Sequence, residues 1–210
     1  MTTSPIFVGT YRSEPKSLRP ANASNPLVAF KAGASGSRVH SVSLASSDTA
    51  ARDVSVYHGK LLTSASNMGT TAFTTGTLTR NSGSFVTDGW AVGDTALPSG
   101  STTLSNDKLL TVTAVASGTL TFSETQTAET FASTALLYRV GRLTTHNVPA
   151  TAGYVNSIPS VDGLGDNSGT VDDSPNRYVT LGANDCLAFA SGATITAAKQ
   201  IDIVVDGGDY

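Results

Sequence analysis

The chain has 210 residues, of which 39% are hydrophobic and 14% are charged, and its formal net charge is −3. This charge argues against a nucleic-acid-binding protein, because such proteins concentrate lysine and arginine to neutralise phosphates. The single cysteine, Cys186, has no partner for an internal disulfide, which fits assembly in a reducing cytoplasm. No apolar run reaches the length that spans a membrane, and the first residues lack the pattern of a signal peptide.

The first 26 residues predict an extended N-terminal arm rather than a regular element. They contain four prolines, which lack a ladder donor and bias the preceding residue towards extended conformations. Ile6, Phe7, Val8 and Tyr11 are the expected interface residues of this arm, because a solvated tail gains nothing from large apolar side chains. A freely mobile terminus is the alternative.

Strands are favoured over helices along the rest of the chain, because its abundant threonine, valine and isoleucine suit a pleated, half-buried surface. Alternating apolar residues predict strands at residues 27–31, 38–45, 53–58, 178–181, 187–189 and 200–206. The two-residue period places His40 on one face with Val42, and His58 on one face with Val56. Gly207-Gly208 is expected to end the last strand.

The strands before residue 67 and after residue 141 are expected to form one β-sandwich. Residues 68–140 predict a small β-domain inserted into it. Asp88-Gly89 and Gly93-Asp94 are turn signals on either side of Trp90, and Ser117-Gly118 predicts a β-hairpin. The expected core of the insert is Phe73, Leu78, Phe85, Trp90, Val92, Val112, Val115, Leu120, Phe122 and Leu136. This core is thin for a segment of that length, so docking on the parent domain is expected.

The residues that could bind a metal do not form a complete ligand set. His40 and His58 lie on adjacent predicted strands, but a metal site needs a third and usually a fourth ligand. The segment 162–173 holds four aspartates among glycines, without the alternate spacing and terminal carboxylate of a calcium loop. No metal or cofactor is therefore expected.

The residues that could catalyse a reaction are equally isolated. Glu124 and Glu129 flank a Thr/Ala stretch, with nothing to bring them together as the acid–base pair of a glycosidase. Cys186 has Asp185 beside it, and a negative neighbour disfavours the thiolate, so this cysteine is predicted to be a core residue. The chain is therefore predicted not to be an enzyme.

Three parts of the sequence carry a resemblance to a known family: PIFVGT near the start, then LVAFKAGASGSRVHSVSLASSDTAARDVSVYH, and LGANDCLAFAS before a final alternating strand. This order resembles the small jelly-roll virion proteins of tailed bacteriophages that cement or decorate the capsid. The family has a proline in the turn before its last strands, whereas residues 181–187 occupy that place here without one.

The inserted segment resembles a β-module that recurs in phage structural proteins. The matching runs are LTRNSGSFVTDGWAVGDT and, after a gap, SNDKLLTVTAVASGTLTFSE. Cement proteins often lack such an insert, which leaves a capsid, a tail and a baseplate open as the position in the virion.

Together the residue patterns and the resemblances predict an all-β chain, a jelly-roll-like antiparallel β-sandwich formed by 27–67 plus 141–210, with the arm 1–26 and the inserted domain 68–140. The resemblances imply a homotrimer at the capsid surface that binds the major capsid protein and bridges capsomers, without nucleic acid, membrane or cofactor. A tail, neck or baseplate protein is the first alternative. The second is a carbohydrate-binding tail or fibre module that uses Trp90 and Tyr154, and the third is a glycan hydrolase.

Overall fold

The computed structural model describes residues 9–22, 24–64, 71–130, 135–154, 161–162, 164, 170–171 and 177–210. These residues confirm the all-β prediction, since their helical elements are two single turns of 3-10 helix, Pro20–Asn22 and Leu104–Asn106. Among them no helix has the length and apolar character needed to cross a membrane.

Sixteen strands follow one another along the described chain. Their bounds are β1 Thr10–Leu18, β2 Leu27–Lys31, β3 Ser37–Ser46, β4 Arg52–Ser64, β5 Thr71–Thr74, β6 Thr77–Arg80, β7 Thr95–Ser99, β8 Leu110–Val115, β9 Thr119–Phe122, β10 Glu129–Thr130, β11 Leu136–Val148, β12 Val161–Asp162, β13 Thr170–Val171, β14 Arg177–Leu181, β15 Cys186–Ser191 and β16 Ile201–Asp209.

The chain divides into two compact units. The first consists of Met1–Ser24, Val28–His58 and Arg142–Tyr210, and the second consists of Asn25–Leu27 and Gly59–Gly141. Apart from Asn25–Leu27, the second unit is thus one continuous segment that begins within β4 and ends within β11.

The first unit is a jelly-roll β-sandwich. One sheet has the neighbours β1-β16-β3-β14, and the other has β2-β15-β4-β11, with β13 pairing β14 and β12 pairing β3. Among these eight main strands the first pairs with the last, and the chain changes sheet at every connection except β4 to β11. This is the arrangement of two Greek keys in a double-sheet jelly roll. The core includes Phe30, Val42, Leu44, Val56, Leu187, Phe189, Ile201, Ile203 and Val205, all of them buried.

The prediction that residues before Pro26 form no regular element is wrong for the described part of the arm. Thr10–Leu18 is the regular strand β1, paired antiparallel with β16 over its whole length. Pro15 fits there because β1 is an edge strand, where a missing backbone N–H need not interrupt a ladder. Ile6, Phe7 and Val8 lie outside the described residues.

The prediction that His40 shares a face with Val42 is wrong because β3 contains a β-bulge. Ser41 pairs with Asp206 of β16 and Val39 pairs with the next residue, Gly207, so the register skips His40. The extra residue shifts the alternation by one. Val39 and Val42 are therefore both buried, and His40 is exposed.

The prediction that Gly207-Gly208 ends the last strand is also wrong, because β16 continues to Asp209. Gly207 permits this continuation opposite the bulge. A Cβ atom at residue 207 would lie 2.6 Å from the carbonyl oxygen of Arg38, so any larger residue would push β3 and β16 apart.

The second unit is a small antiparallel sheet with the neighbours β10-β5-β6-β9-β8-β7-β11. The predicted hairpin at Ser117-Gly118 is confirmed as the β8–β9 pair. The core of the second unit consists of Phe73, Leu78, Phe85, Trp90, Ala96, Leu110, Val112, Leu120, Phe122, Ala135 and Leu137, with Leu62 and Val115 packed against it.

Two predicted members of that core are wrong. Val92 lies in a turn between Trp90 and Gly93 and is 68% exposed, because the turn points its side chain to solvent. Leu137 is buried in the core and its neighbour Leu136 is only half-buried. The face of β11 that packs on the core is therefore the opposite of the predicted one.

Candidate functional site

The first and last strands of the jelly roll share a line of polar contacts, here called the β1–β16 seam. Each of the three aspartates of β16 accepts a hydrogen bond from a β1 side chain. The pairs are Ser17–Asp202, Tyr11–Asp206 at 3.0 Å and Arg12–Asp209 at 2.7 Å. The seam thus fixes the register of β1 by side chains as well as by backbone pairing.

Asp209 joins the seam to residues outside β1 and β16. Besides Arg12, it accepts hydrogen bonds from the hydroxyl of Ser37 at 2.5 Å and from the backbone N–H of Gly33 at 3.2 Å. The Arg12 guanidinium also lies 4.5 Å from the centre of the Phe30 ring, a cation–π distance. These contacts tie β1 and the end of β16 to the segment around β2 and β3.

Asp206 has a second group of donors. Its carboxylate accepts a hydrogen bond from the Ser41 hydroxyl of β3 at 3.0 Å. The hydrogen bond from Ser13 lowers the pKa of Asp206 most; burial opposes it, and Ser41 and Tyr11 lower it further. The hydrogen bond between Tyr11 and Asp206 raises the pKa of Tyr11. Asp206 therefore remains an ionised acceptor between β1 and β3.

Tyr11 is the predicted interface residue that the structure describes. It lies on edge strand β1 with 68% of its surface exposed, and its hydroxyl donates to Asp206. Its ring is therefore oriented by the seam and open to solvent. The alternation of β16 places Asp202 and Asp206 on its polar face, but no local feature of the sequence pairs them with residues of β1.

A buried polar network holds Trp90 in the second unit. The Trp90 indole N–H donates to the Thr63 hydroxyl at 3.0 Å, and that hydroxyl donates to Asp88 at 2.6 Å. Arg80 also donates to Asp88, at 2.7 Å, while its guanidinium stacks 4.1 Å from the Phe85 ring centre. Trp90 is 5% exposed, so it is a core residue as expected and offers no platform for a sugar.

Glu129 closes the loop between β7 and β8. Its carboxylate accepts hydrogen bonds from Ser101 Oγ, Thr102 N and Oγ1, Thr103 N and Asn106 Nδ2. Burial raises the pKa of Glu129, but the bonds from Ser101, Thr102 and Asn106 outweigh it and lower the pKa to about 2. This glutamate is a permanent anion that organises the loop.

Asp107 in the same loop is shifted in the opposite direction. Burial raises its pKa to about 6, against the hydrogen bonds from the backbone of Ser101 and Gly100 and with the help of the charge on Glu129. The difference arises because Asp107 has few donors to compensate its loss of water.

The two glutamates considered as a hydrolase pair each bond to a separate neighbouring segment of the second unit. Glu124 accepts hydrogen bonds from the backbone N–H of Thr111 at 2.7 Å and from its hydroxyl at 3.0 Å. These bonds, like those of Glu129, lower the pKa of Glu124 against the effect of burial. A general acid needs a raised pKa, which neither of these groups has.

The histidines and the cysteine also have structural surroundings. His40 is on β3 and His58 is on β4, which belong to different sheets. The His58 Nε2 atom lies 3.2 Å from the Asp185 carboxylate. Cys186 is fully buried, which confirms it as a core residue.

No group of three or more metal-binding side chains occurs in the part of the chain that the structure describes. Of the four aspartates in the segment 162–173, Asp166, Asp172 and Asp173 lie outside the described residues.

Comparisons of the chain with protein-family models, curated proteins and solved structures found no match. What can be said of function therefore rests on the fold and on the surroundings of its polar groups. Among the described residues, the carboxylates of the seam and of the second unit accept hydrogen bonds that hold neighbouring strands and loops together.

Proposed function

We propose that the chain is a non-enzymatic structural protein of a tailed-bacteriophage virion, a cement or decoration protein that binds the major capsid protein and bridges capsomers. The observation that carries this proposal is the jelly-roll strand order of the first unit, taken with the sequence runs that resemble such virion proteins. Fold alone does not determine function. The sequence resemblance is therefore the ground for proposing a virion protein, and the strand order supports that proposal.

The physical properties of the chain suit mechanical attachment. A double-sheet jelly roll exposes few long edges and forms a stiff block. Interfaces of polar but largely uncharged surface depend on shape and hydrogen bonds as much as on apolar area, and only 14% of this chain is charged. Glu124 and Glu129, the two glutamates considered as a hydrolase pair, instead accept hydrogen bonds that lower their pKa values.

A closed trimer is the assembly that we propose, because shell lattices present local three-fold axes and homo-oligomers usually close by rotation. The N-terminal arm, with Ile6, Phe7, Val8 and Tyr11, would contact a neighbouring copy or the shell. Tyr11 supports this assignment in part, since its ring is exposed and held in position by Asp206.

The melting of virions tests the cement function. In the phage that encodes the chain, particles assembled without it are expected to release their genome at a lower temperature than complete particles. Adding the purified chain back is expected to restore the higher temperature. Particles that lack the chain but melt unchanged would rule out a cement function.

The alternative of a carbohydrate-binding module is not favoured by any described contact. Of its two aromatic candidates, Trp90 is buried with its indole N–H bound to Thr63, and Tyr154 is half-buried. A tail, neck or baseplate position remains the alternative that copy number distinguishes from the capsid.

A further inference from the structure

We propose that β1 is an exchangeable strand, which can leave the β16 edge of its own chain and occupy the same edge of a second copy. The exchange would produce self-association wherever the protein acts, whether on a capsid or elsewhere. It follows from how β1 is attached, how it is connected, and which partner its contacts fit.

The attachment of β1 is almost entirely polar. Of its nine side chains only Leu18 is buried, whereas all six side chains of the central strand β15 are buried. Hydrogen bonds that are lost on detachment are replaced by hydrogen bonds to water, so each contributes only about 1 kcal/mol net. β1 is therefore an element that opens locally at much lower free energy than the core.

The position of β1 in the chain allows it to leave without unfolding the rest. It is the first described strand and an edge strand, so it separates from β16 without breaking another strand pair or threading through a loop. Residues 19–26 connect it to β2, and when extended they reach roughly 26 Å at about 3.3 Å per residue. In the structure Pro20–Asn22 of this linker form a single 3-10 turn, which would extend as β1 leaves.

The charges of the seam identify a second copy as the occupant. β16 carries three aspartates and no basic residue, while β1 carries Arg12 and Lys16 against one acidic residue, Glu14. A foreign strand would leave these carboxylates without their donors. The β1 strand of another copy restores every seam contact in the same register, so the two states differ only in linker conformation and association entropy.

Simple addition of another strand outside β1 is disfavoured by the residues of that edge. Pro15 lacks a backbone donor, and Arg12, Glu14 and Lys16 place charges of both signs along the strand. Prolines and charges on an edge strand are the features that prevent a further strand from pairing. Self-association through this edge is therefore expected by replacement of β1.

Cysteine cross-linking between two differently tagged variants tests the exchange. Pro15→Cys and Val204→Cys place thiols at directly opposite positions of β1 and β16. After the two variants are incubated together and oxidised, a disulfide-linked product carrying both tags is expected. The matched control is Thr10→Cys mixed with Val204→Cys, because Thr10 pairs with Asp209 and is out of reach of residue 204. Unmodified chain, with only buried Cys186, gives the background.

A chain that carries both Pro15→Cys and Val204→Cys provides the second measurement. Its internal disulfide, formed at high dilution, locks β1 onto its own β16. Light scattering is expected to show oligomers of the unmodified chain that grow with concentration, monomers of the locked chain, and oligomers again after reduction. A locked chain that still assembles would contradict the proposal, as would an unmodified chain that stays monomeric or a mixture of the two single-cysteine variants that yields no product carrying both tags.

Discussion

Two carboxylates beside the β7–β8 loop of the second unit show how local hydrogen bonding decides the charge of a residue. Glu129 has five donors and a pKa of about 2, while half-buried Asp107 has a pKa of about 6. Glu129 therefore stabilises the fold above its ordinary pKa of 4.5, and this contribution disappears as the pH falls towards 2. Asp107 acts in the reverse sense, since the folded chain binds its proton more tightly than the unfolded chain does.

Replacing Asp107 by asparagine is expected to stabilise the protein at neutral pH. The raised pKa means that stability falls as the pH rises from about 4 to about 6, and Asp107→Asn removes that loss while it keeps an acceptor for Ser101. Allowing for solvent screening of a partly exposed group, the gain at pH 7 is roughly 1 kcal/mol. Urea unfolding at pH 7 and pH 4 measures it. The variant should show no gain at pH 4, and a larger gain there than at pH 7 would contradict this explanation.

Tyr11 is the residue at which the proposed interface can be examined singly. Tyr11→Ala is expected to weaken binding to capsid shells by about 2 kcal/mol, or roughly thirtyfold in Kd, if its exposed ring is an anchor. Tyr11→Phe keeps the ring and removes the hydrogen bond to Asp206, so it separates the two contributions. Cosedimentation of the variants with shells measures the effect. Unchanged binding of Tyr11→Ala would remove Tyr11 from the interface.

The strands that alternate regularly were predictable from the sequence, and the errors occur where a backbone irregularity breaks the alternation. In β16, Ile201, Ile203 and Val205 are buried as predicted. In β3 a bulge at His40 reverses which side chains face the core. No residue type at that position predicts a bulge. The prolines of residues 1–26 predict an irregular arm, whereas β1 contains one of them, Pro15, at a sheet edge that needs few donors.

The bulge predicts a specific requirement for glycine at position 207. Gly207→Ala places a Cβ against the Arg38 carbonyl, a contact of 2.6 Å with backbone that cannot move aside alone. The expected loss in free energy of unfolding is about 2–3 kcal/mol, as for overpacked sites. The matched control is Gly141→Ala in β11, where an added Cβ meets no atom within 4 Å. Urea denaturation compares them, and equal stability of the two variants would contradict the bulge geometry.

For the whole molecule, the sandwich follows from local patterns together with the family resemblance, whereas the strand order does not follow from local patterns at all. The pairing of β1 with β16 joins the two ends of the chain, and pairings so distant leave no local signal. The polar seam was missed for the same reason, because Arg12 and Asp209 lie 197 residues apart. The turn at Val92 and the reversed face at Leu137 are local geometric details that apolar residues alone do not specify.

The most direct test of the proposed role is the number of copies of this chain in purified virions, measured by quantitative mass spectrometry against the major capsid protein. A cement protein on the shell lattice is expected in copies on the order of hundreds per particle, in a fixed ratio to the capsid protein. About six or twelve copies would place the chain in a neck, tail or baseplate instead. Absence of the chain from virions would contradict the account as a whole.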